Sequence, residues 1–163
     1  MEVYRIAKKE FLNDLSGTGA KINGGRWNRE GLYMLYTSEH LSLAVLEVLA
    51  NQFRKKIDKR FGFLKLQLPN NTIMDHAEIE DLKEGWRVSQ YSQQTVGLGT
   101  NWLLSQQSLA LKVPSAVLEQ ENNILINPYH KDFKKLVVIE SSEVNLDGRV
   151  STIEKRKGIK KKK

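Results

Sequence analysis

The chain has 163 residues, a formal net charge of +7 and no cysteine. This length fits one domain with a sizeable core, and the lack of cysteine excludes a disulfide framework, a thiolate metal site and a cysteine nucleophile. The N-terminus has no apolar signal core, and no apolar run approaches the roughly 18–20 residues that a membrane-spanning helix needs. We therefore expect a soluble cytoplasmic protein that does not contact a membrane.

The positive charge is concentrated at the C-terminus. Residues 154–163, EKRKGIKKKK, hold seven Lys/Arg and one Glu, whereas residues 1–153 hold 19 basic and 18 acidic side chains. A segment this basic and this poor in apolar residues is typical of a disordered, solvated tail. The sequence therefore predicts one folded domain over 1–153 and a basic tail over 154–163. Direct nucleic-acid binding by the nearly neutral domain is not expected.

The hydrophobic pattern predicts strands and helices in irregular alternation. The strands follow from alternating or β-rich apolar runs, and the helix at 37–53 follows from an apolar stripe behind a cap by Thr37 or Ser38. Because several strands follow one another late in the chain, without a steady βαβ rhythm, the pattern favours an α+β (mixed α/β) domain with largely antiparallel pairing. In chain order the predicted elements are a strand over 2–8, a short helix over 8–15, a loop over 16–31, a strand over 32–38, a helix over 37–53, a strand over 60–68, a short helix over 77–86, a loop leading to a helix over 93–108, and strands over 109–118, 122–128 and 134–141.

Common nucleotide and metal motifs are not met by this sequence. GTGAKI (17–22) begins like a dinucleotide fingerprint but has Ile22 where the third glycine is required, and GAKINGG (19–25) lacks the Lys and Ser/Thr of a P-loop. The three histidines are far apart in the chain, without paired ligand spacing. Neither a Rossmann-type site nor a metal site is therefore predicted.

Three stretches contain side chains suited to anion binding or catalysis. Arg26 follows a glycine pair in NGGRWN (23–28), and a guanidinium offers paired planar donors for phosphate. Glu47 lies inside the apolar run SLAVLEVLAN, and Ser115 directly follows a proline on a predicted strand. Each also has a structural interpretation: a solvated arginine beside a packed Trp27, a glutamate on the outer edge of its helix, and turn chemistry. From these residues alone, the sequence supports only a mixed α/β domain with a candidate anion site.

Together, these stretches resemble the RES-domain family, the toxin component of Xre–RES toxin–antitoxin pairs. The matching stretches are VYRIAK (3–8), the long run over 16–51, and LALKVPSAVLEQENNILINPYHKDF (109–133), with a weaker match over 52–100. The resemblance implies a fold like that of the ADP-ribosyltransferase toxins. It also implies an enzyme that consumes NAD as its substrate and needs no separate cofactor.

The resemblance further implies roles for individual residues. Arg5 and Arg26 would hold the diphosphate of NAD, and Tyr36 would stack on the nicotinamide ring. A carboxylate would stabilise the oxocarbenium-like transition state as the nicotinamide–ribose bond breaks. The implied catalytic residues are Glu47, Tyr36 and Arg26, and the implied NAD-binding residues are Arg5, Arg26, Tyr36 and Ser115, with Ser108 as the alternative serine.

The implied function is that of a toxin that depletes cellular NAD, by hydrolysis or phosphorolysis, and arrests growth. One alternative is an ADP-ribosyltransferase that modifies a protein target. An alternative of another class is a non-enzymatic nucleic-acid-binding protein that uses the basic tail, with Trp27, Trp86 and Trp102 as stacking groups. The implied partner is a cognate Xre-type DNA-binding antitoxin.

Overall fold

The computed structural model of the protein describes residues 1–51, 60–78, 82, 84–88, 92–147 and 149–150. Within these residues the chain forms a seven-stranded sheet and three α-helices. The strands are β1 (Glu2–Lys8), β2 (Leu35–Ser38), β3 (Phe61–Gln67), β4 (Met74–His76), β5 (Ala110–Pro114), β6 (Asn122–Ile126) and β7 (Val137–Glu143). The helices are α1 (Thr18–Asn23), α2 (Leu41–Asn51) and α3 (Gln93–Ser105), with 3-10 turns at Lys9–Phe11 and Phe133–Lys135. In the described part of the chain, no helix is long and apolar enough to cross a membrane.

The sheet has the strand order β4-β5-β6-β2-β1-β3-β7. Its neighbouring strands are antiparallel, apart from the parallel pair β4–β5. The predicted α+β class with largely antiparallel pairing is thereby confirmed. Near the middle of the sheet, β1 and β2 share one register pair, Tyr4 with Ser38, whereas β1 pairs with β3 from Glu2 to Lys8. The two halves of the sheet thus share a single backbone register pair.

Helix α2 follows β2 directly and packs on β1 and β2. The predicted cap by Thr37 or Ser38 is wrong, because both hydroxyls are used within the sheet. Thr37 donates to the carbonyl oxygen of Ile124 at 2.6 Å, and Ser38 donates to Oδ1 of Asn123 at 2.6 Å. These bonds attach β2 to β6 through side chains in addition to the backbone ladder. The apolar face of α2 that is buried against the sheet consists of Leu43, Ala44, Val45 and Leu49.

The glycine-rich stretch 16–31, predicted to be a loop, contains α1. Gly17 precedes the helix with a φ of 82°, and Gly24 ends it with a φ of 65°. Both residues lie in the left-handed region that glycine adopts without steric cost. The N–H of Gly24 donates to the carbonyl oxygen of Ala20 at 2.9 Å, which closes the last turn. The glycines therefore define the ends of a short helix.

Other differences concern the lengths of elements. The predicted helix over 8–15 is a single 3-10 turn. The stretch 93–108 was predicted to start as a loop, but α3 begins at its first residue, Gln93. Strand β4 has no predicted counterpart, because three residues are too few to show a period. The predicted helix over 77–86 lies partly outside the described residues, and its last three residues form a turn.

A core cluster under the glycine-rich stretch contains all three tryptophans. Trp27, Trp86 and Trp102 are 2%, 6% and 7% exposed, and the ring centroids of Trp27 and Trp86 lie 6.1 Å apart. The predicted packing role of Trp27 is confirmed. Because these rings are buried, they do not provide the stacking surface that the nucleic-acid-binding alternative requires. The basic tail 154–163 of that alternative lies outside the described residues.

Helix α3 touches the backbone of the glycine-rich stretch at Gly99. A Cβ atom on Gly99 would lie 2.1 Å from the carbonyl oxygen of Trp27. One residue later, the hydroxyl of Thr100 accepts the N–H of Arg29 at 3.2 Å. Helix α3 therefore fixes the position of the residues around Trp27.

We predict that Gly99→Ala destabilises the protein, because α3 and the Trp27 backbone must move apart. The expected loss is about 1–3 kcal/mol, the usual cost of forcing extra volume into a packed site. Gly97→Ala is the matched control in the same helix, because nothing lies within 4 Å of a Cβ atom there. That variant should be neutral or more stable by about 0.5–1 kcal/mol, from its better helix propensity. Urea unfolding measures both, and equal stability of the two variants would contradict the predicted contact.

Candidate functional site

Two adjoining cavities lie beside β2 and α2. The first, of about 260 Å³, is lined by residues of β1, β2, α2 and β6, including Arg5. The second, of about 400 Å³, is lined by the glycine-rich stretch, including Arg26, and by the turn after β5. Because four residues line both cavities, we treat the two as one cleft, within the size range of small-molecule sites. The shared residues are Tyr36, Glu47, Asn51 and Asn123.

The Glu47 carboxylate is held at this junction by two hydrogen bonds to one oxygen. Ser115 donates its hydroxyl to Oε1 at 2.7 Å, and Asn123 donates its amide Nδ2–H to the same oxygen at 2.6 Å. Glu47 is half-buried, so these donors offset part of the cost of removing a carboxylate from water. Within the described residues no hydrogen bond ends on Oε2, which leaves that oxygen available to a ligand in the cleft.

Ser115 lies behind Glu47 and is fully buried. Its hydroxyl oxygen accepts the N–H groups of Val117 at 3.0 Å and Leu118 at 3.1 Å. Since the two backbone donors occupy its lone pairs, the single hydroxyl proton is directed to Glu47. Ser115 is not among the residues that line the cleft. The geometry thus gives it a contact with Glu47 rather than a place on the wall of the cleft.

Ser108, the alternative serine, serves a different part of the fold. Its hydroxyl oxygen accepts the indole N–H of Trp102 at 2.8 Å. Two acceptors lie within reach of its single proton, Oδ2 of Asp75 at 2.8 Å and the carbonyl oxygen of Ala110 at 3.0 Å. It is fully buried and does not line the cleft. Of the two serines, therefore, Ser115 is the one that the structure brings to Glu47.

Tyr36 connects β2 to the glycine-rich stretch. Its hydroxyl donates to Oδ1 of Asn28 at 2.8 Å and accepts the backbone N–H of Trp27 at 3.1 Å. Burial raises the pKa of Tyr36 well above its ordinary value, so the phenol is neutral at physiological pH. A Cβ atom on Gly25 would lie 2.5 Å from this hydroxyl. The second glycine of NGGRWN is thus explained by the close approach of Tyr36.

Arg26 is anchored by main-chain oxygens. Its Nη1 donates to the carbonyl of Trp86 at 2.6 Å and its Nη2 to the carbonyl of Arg87 at 3.3 Å, and the guanidinium lies 5.8 Å from the Trp86 ring centroid. Burial lowers the pKa of Arg26, while the nearby Glu47 carboxylate acts in the opposite direction. An arginine remains charged despite such a shift. Arg26 therefore brings a fixed positive charge to the second cavity.

The segment that anchors Arg26 is itself attached to the turn after β5. Arg87 donates from Nε to the carbonyl oxygen of Ala116 at 3.1 Å and from Nη1 to the Glu119 carboxylate at 2.7 Å. Ala116 lines the second cavity beside Arg26. Arg87 therefore connects the segment that holds Arg26 to the turn that follows Ser115, and Arg26 and this turn both border the cavity.

Arg5 supplies the positive charge of the first cavity. It lies on β1 and donates from Nη1 to the carbonyl oxygen of Leu12 at 3.3 Å. Burial lowers the pKa of Arg5, and the charge of Asp14 opposes this shift. With Arg26 in the second cavity and Glu47 shared by both, the cleft contains a cation in each part and a carboxylate at the junction. This arrangement suits an anionic ligand that also develops positive charge next to a carboxylate.

Two residues shared by both cavities, Asn51 and Asn123, were missed by sequence reasoning, and Asn123 is the one that contacts Glu47. An asparagine at a strand end is typical of a turn, and that interpretation hid its contact with Glu47. Its place in the cleft follows from the pairing of β2 with β6, which sets Asn123 opposite Ser38. Among the described residues, no group of His, Cys, Asp and Glu could hold a metal ion.

Comparisons with known proteins point to one family. A sequence model of the RES domain matches residues 2–147. A Photorhabdus laumondii protein named Toxin Res is 35% identical over 152 residues, which cover 92% of this chain and 97% of that protein. A Sphingobium protein named Prs ADP-ribosylating toxin is 34% identical over 131 residues, which cover 78% of this chain and 81% of that protein.

A solved structure shares the fold. A chain in the crystal structure of the M. tuberculosis MbcT–MbcA toxin–antitoxin complex is similar to this chain with a TM-score of 0.61 and 14% sequence identity. The match covers 88% of this chain and 83% of that chain. At this identity the likeness concerns the fold alone.

Proposed function

The chain belongs to the RES domain family, and we propose that it is a bacterial toxin that breaks the nicotinamide–ribose bond of NAD, its substrate. The observation that carries this proposal is the Glu47 carboxylate at the junction of two cavities, with Arg5 in one and Arg26 in the other. The names of the bacterial relatives, Toxin Res and Prs ADP-ribosylating toxin, support a toxin that acts on an ADP-ribose donor.

The reaction begins with cleavage of the bond between ribose C1′ and the nicotinamide nitrogen. The bonding electrons leave with nicotinamide, whose ring becomes neutral, and positive charge develops on the ribose. A carboxylate beside that carbon stabilises the charge, and Glu47 serves this role through Oε2. A nucleophile then bonds to C1′ and releases its proton. Water yields ADP-ribose, phosphate yields a phosphorylated ADP-ribose, and a protein side chain yields an ADP-ribosylated protein.

The remaining cleft residues bind the dinucleotide. The diphosphate needs charge-assisted donors, which the guanidinium groups of Arg5 and Arg26 supply. The Tyr36 ring lines both parts of the cleft, and its hydroxyl is held away in the glycine-rich stretch. The ring is therefore a fixed surface on which nicotinamide can stack.

We predict that Glu47→Gln slows nicotinamide release by about 10²–10³-fold, the loss typical for removal of one preorganised electrostatic contact. The loss should fall on kcat, whereas Arg26→Ala should mainly raise KM. Glu39→Gln is the control for the same charge change, since Glu39 bonds Lys112 and Asn122 and lines neither cavity. Glu47→Gln with wild-type kcat would overturn the role of Glu47. If the wild-type protein released no nicotinamide under any condition, the proposed enzymatic activity would be wrong.

The acceptor is tested in the same assay. NAD labelled on the adenine is incubated with the protein in the presence and absence of phosphate, and then with cytosolic protein. We expect free ADP-ribose or its phosphorylated form, because NAD depletion is the primary proposal. Transfer to protein is the second candidate, favoured by the name of the Sphingobium relative. A labelled protein band in place of the free products would establish that alternative.

The two serines give a separate prediction. Ser115→Ala should lower kcat by roughly ten- to a hundredfold, because Glu47 loses a charge-assisted donor. Ser108→Ala should leave kcat per folded molecule unchanged and lower the free energy of unfolding by about 1–3 kcal/mol, since the Trp102 N–H and the Asp75 carboxylate lose a buried partner. Ser115→Ala also leaves the N–H groups of Val117 and Leu118 without an acceptor, so both variants lose stability and kcat is the readout that distinguishes them. Kinetics per folded molecule and urea unfolding separate the two effects. The opposite pattern would assign the catalytic contact to Ser108.

A cognate antitoxin of the Xre DNA-binding type is the proposed partner. The relatives named Toxin Res and the toxin–antitoxin complex that shares the fold support it. Co-expression with the product of the neighbouring open reading frame should restore growth, yield a stable complex on purification and suppress nicotinamide release. The Glu47→Gln variant should still bind, because its fold is unchanged. Absence of any complex with either form would contradict this partner.

A further inference from the structure

We propose that Asn123, held in orientation by Ser38, is a positioning residue that fixes the Glu47 carboxylate in the cleft. This inference rests on the proposed function, because it concerns the carboxylate that would stabilise the reacting ribose. It assigns a role to a polar chain that connects the sheet to helix α2 and that lies outside the implied set of site residues.

The chain of hydrogen bonds has a defined direction. The Ser38 hydroxyl donates to Oδ1 of Asn123 at 2.6 Å, and Nδ2 of Asn123 donates to Oε1 of Glu47 at 2.6 Å. A flipped amide would place its oxygen against the Glu47 carboxylate, where two acceptors repel each other. The carboxylate can only accept, so it requires the N–H end of the amide to face Glu47, and the Ser38 hydroxyl holds that orientation by donating to the amide oxygen.

The position of this chain is determined by the strand register. Ser38 pairs with Asn123 across β2 and β6, and it also pairs with Tyr4 in the single register pair between β1 and β2. Ser38 is 4% exposed, so its hydroxyl has little access to water that would compete for the amide. The donor for Glu47 is thus fixed by backbone pairing at the place where the two halves of the sheet meet.

Asn123 and Ser115 act on the same oxygen from different strands. Ser115 follows β5, Asn123 lies on β6, and both donate to Oε1. Two fixed donors on one oxygen determine the orientation of the carboxylate plane and leave Oε2 for the ribose. Loss of the Asn123 donor should therefore affect the chemical step more than the binding of NAD.

The test compares two neighbouring asparagines. Asn123→Asp keeps the side-chain shape but replaces the N–H donor by a carboxylate oxygen that repels Glu47. Asn122→Asp is the matched control, because Asn122 also donates Nδ2–H to a glutamate, Oε2 of Glu39 at 3.1 Å, but lines neither cavity. We expect kcat for nicotinamide release to fall roughly ten- to a hundredfold in Asn123→Asp, with little change in KM. Asn122→Asp should stay close to wild type.

A second variant and a spectroscopic readout guard against a merely structural effect. Ser38→Ala keeps the Asn123 donor but frees the amide to rotate, so kcat should fall by a smaller factor. The ¹⁵N side-chain amide resonances of Asn123 should shift in Ser38→Ala and in Glu47→Gln, and remain in place in Asn122→Asp. Folding of each variant is followed by circular dichroism, and kcat is given per folded molecule.

The outcomes separate the inference from the proposed function. If the wild-type protein releases nicotinamide while Asn123→Asp keeps its kcat, the inference is overturned and the proposed function stands. If the wild-type protein releases none, the proposed function fails, and the amide resonances still decide the contact. Resonances of Asn123 that do not respond to Glu47→Gln would overturn the positioning role.

Discussion

Two neutral donors converge on one oxygen of Glu47, and the organisation of the cleft depends on this contact. A carboxylate on a half-buried helix face needs compensation for its lost hydration. Here the compensation comes from Ser115 and Asn123, which lie at the strand ends facing α2. Neither donor carries a charge, so neither neutralises the Glu47 carboxylate. An arginine in the same positions would cancel the charge that a developing oxocarbenium ion requires.

The glycine pair shows how packing constraints build the other wall. Gly24 is needed for its left-handed backbone, and Gly25 is needed because the Tyr36 hydroxyl approaches where a Cβ atom would lie. Gly99 completes this arrangement from the opposite side, where α3 meets the backbone of Trp27. Each of these contacts is internal to the protein. The glycines of NGGRWN, which are part of the resemblance to a family, thus also have a structural role: they allow the packing that holds Tyr36 and Arg26 in place.

Much of the fold could be predicted from local sequence pattern, and much of the site could not. Alternation predicts β3, and the long apolar run predicts α2, because both signals lie within one element. Two partners of Arg26, the carbonyls of Trp86 and Arg87, lie 60 and 61 positions away in the chain. A local sequence pattern cannot predict a contact between residues that far apart in the chain. That Arg5, Tyr36 and Glu47 lie in one cleft was predicted from the resemblance to a family. The NAD-binding role of Arg5 and the catalytic roles of Tyr36 and Glu47 stay predictions.

The two serines show what the missing information is. Ser108 lies before β5 and Ser115 lies after it, so the two hydroxyls are at opposite ends of this five-residue strand. One end meets Trp102 and Asp75, and the other meets Glu47. Because the two serines are close in sequence, the sequence could not show which of them contacts Glu47, whereas the position of the strand between them does. Asn123 was missed for a related reason. Its role depends on the pairing of Asn123 with Ser38 across β2 and β6, and the local sequence pattern does not predict that strand register.

The arginines follow the same principle as Glu47. The groups that fix Arg5 and Arg26 include main-chain carbonyls of Leu12, Trp86 and Arg87. A carbonyl oxygen orients a guanidinium without neutralising it, so its positive charge remains for an anionic ligand. Since burial weakens screening by water, each charge acts more strongly inside the cleft than on the surface. Main-chain carbonyls are among the groups that hold both guanidinium groups, and neutral side chains hold the Glu47 carboxylate, so the site is preorganised for a ligand with phosphates at one place and a developing cation at another. That combination is the one that the proposed cleavage of NAD requires.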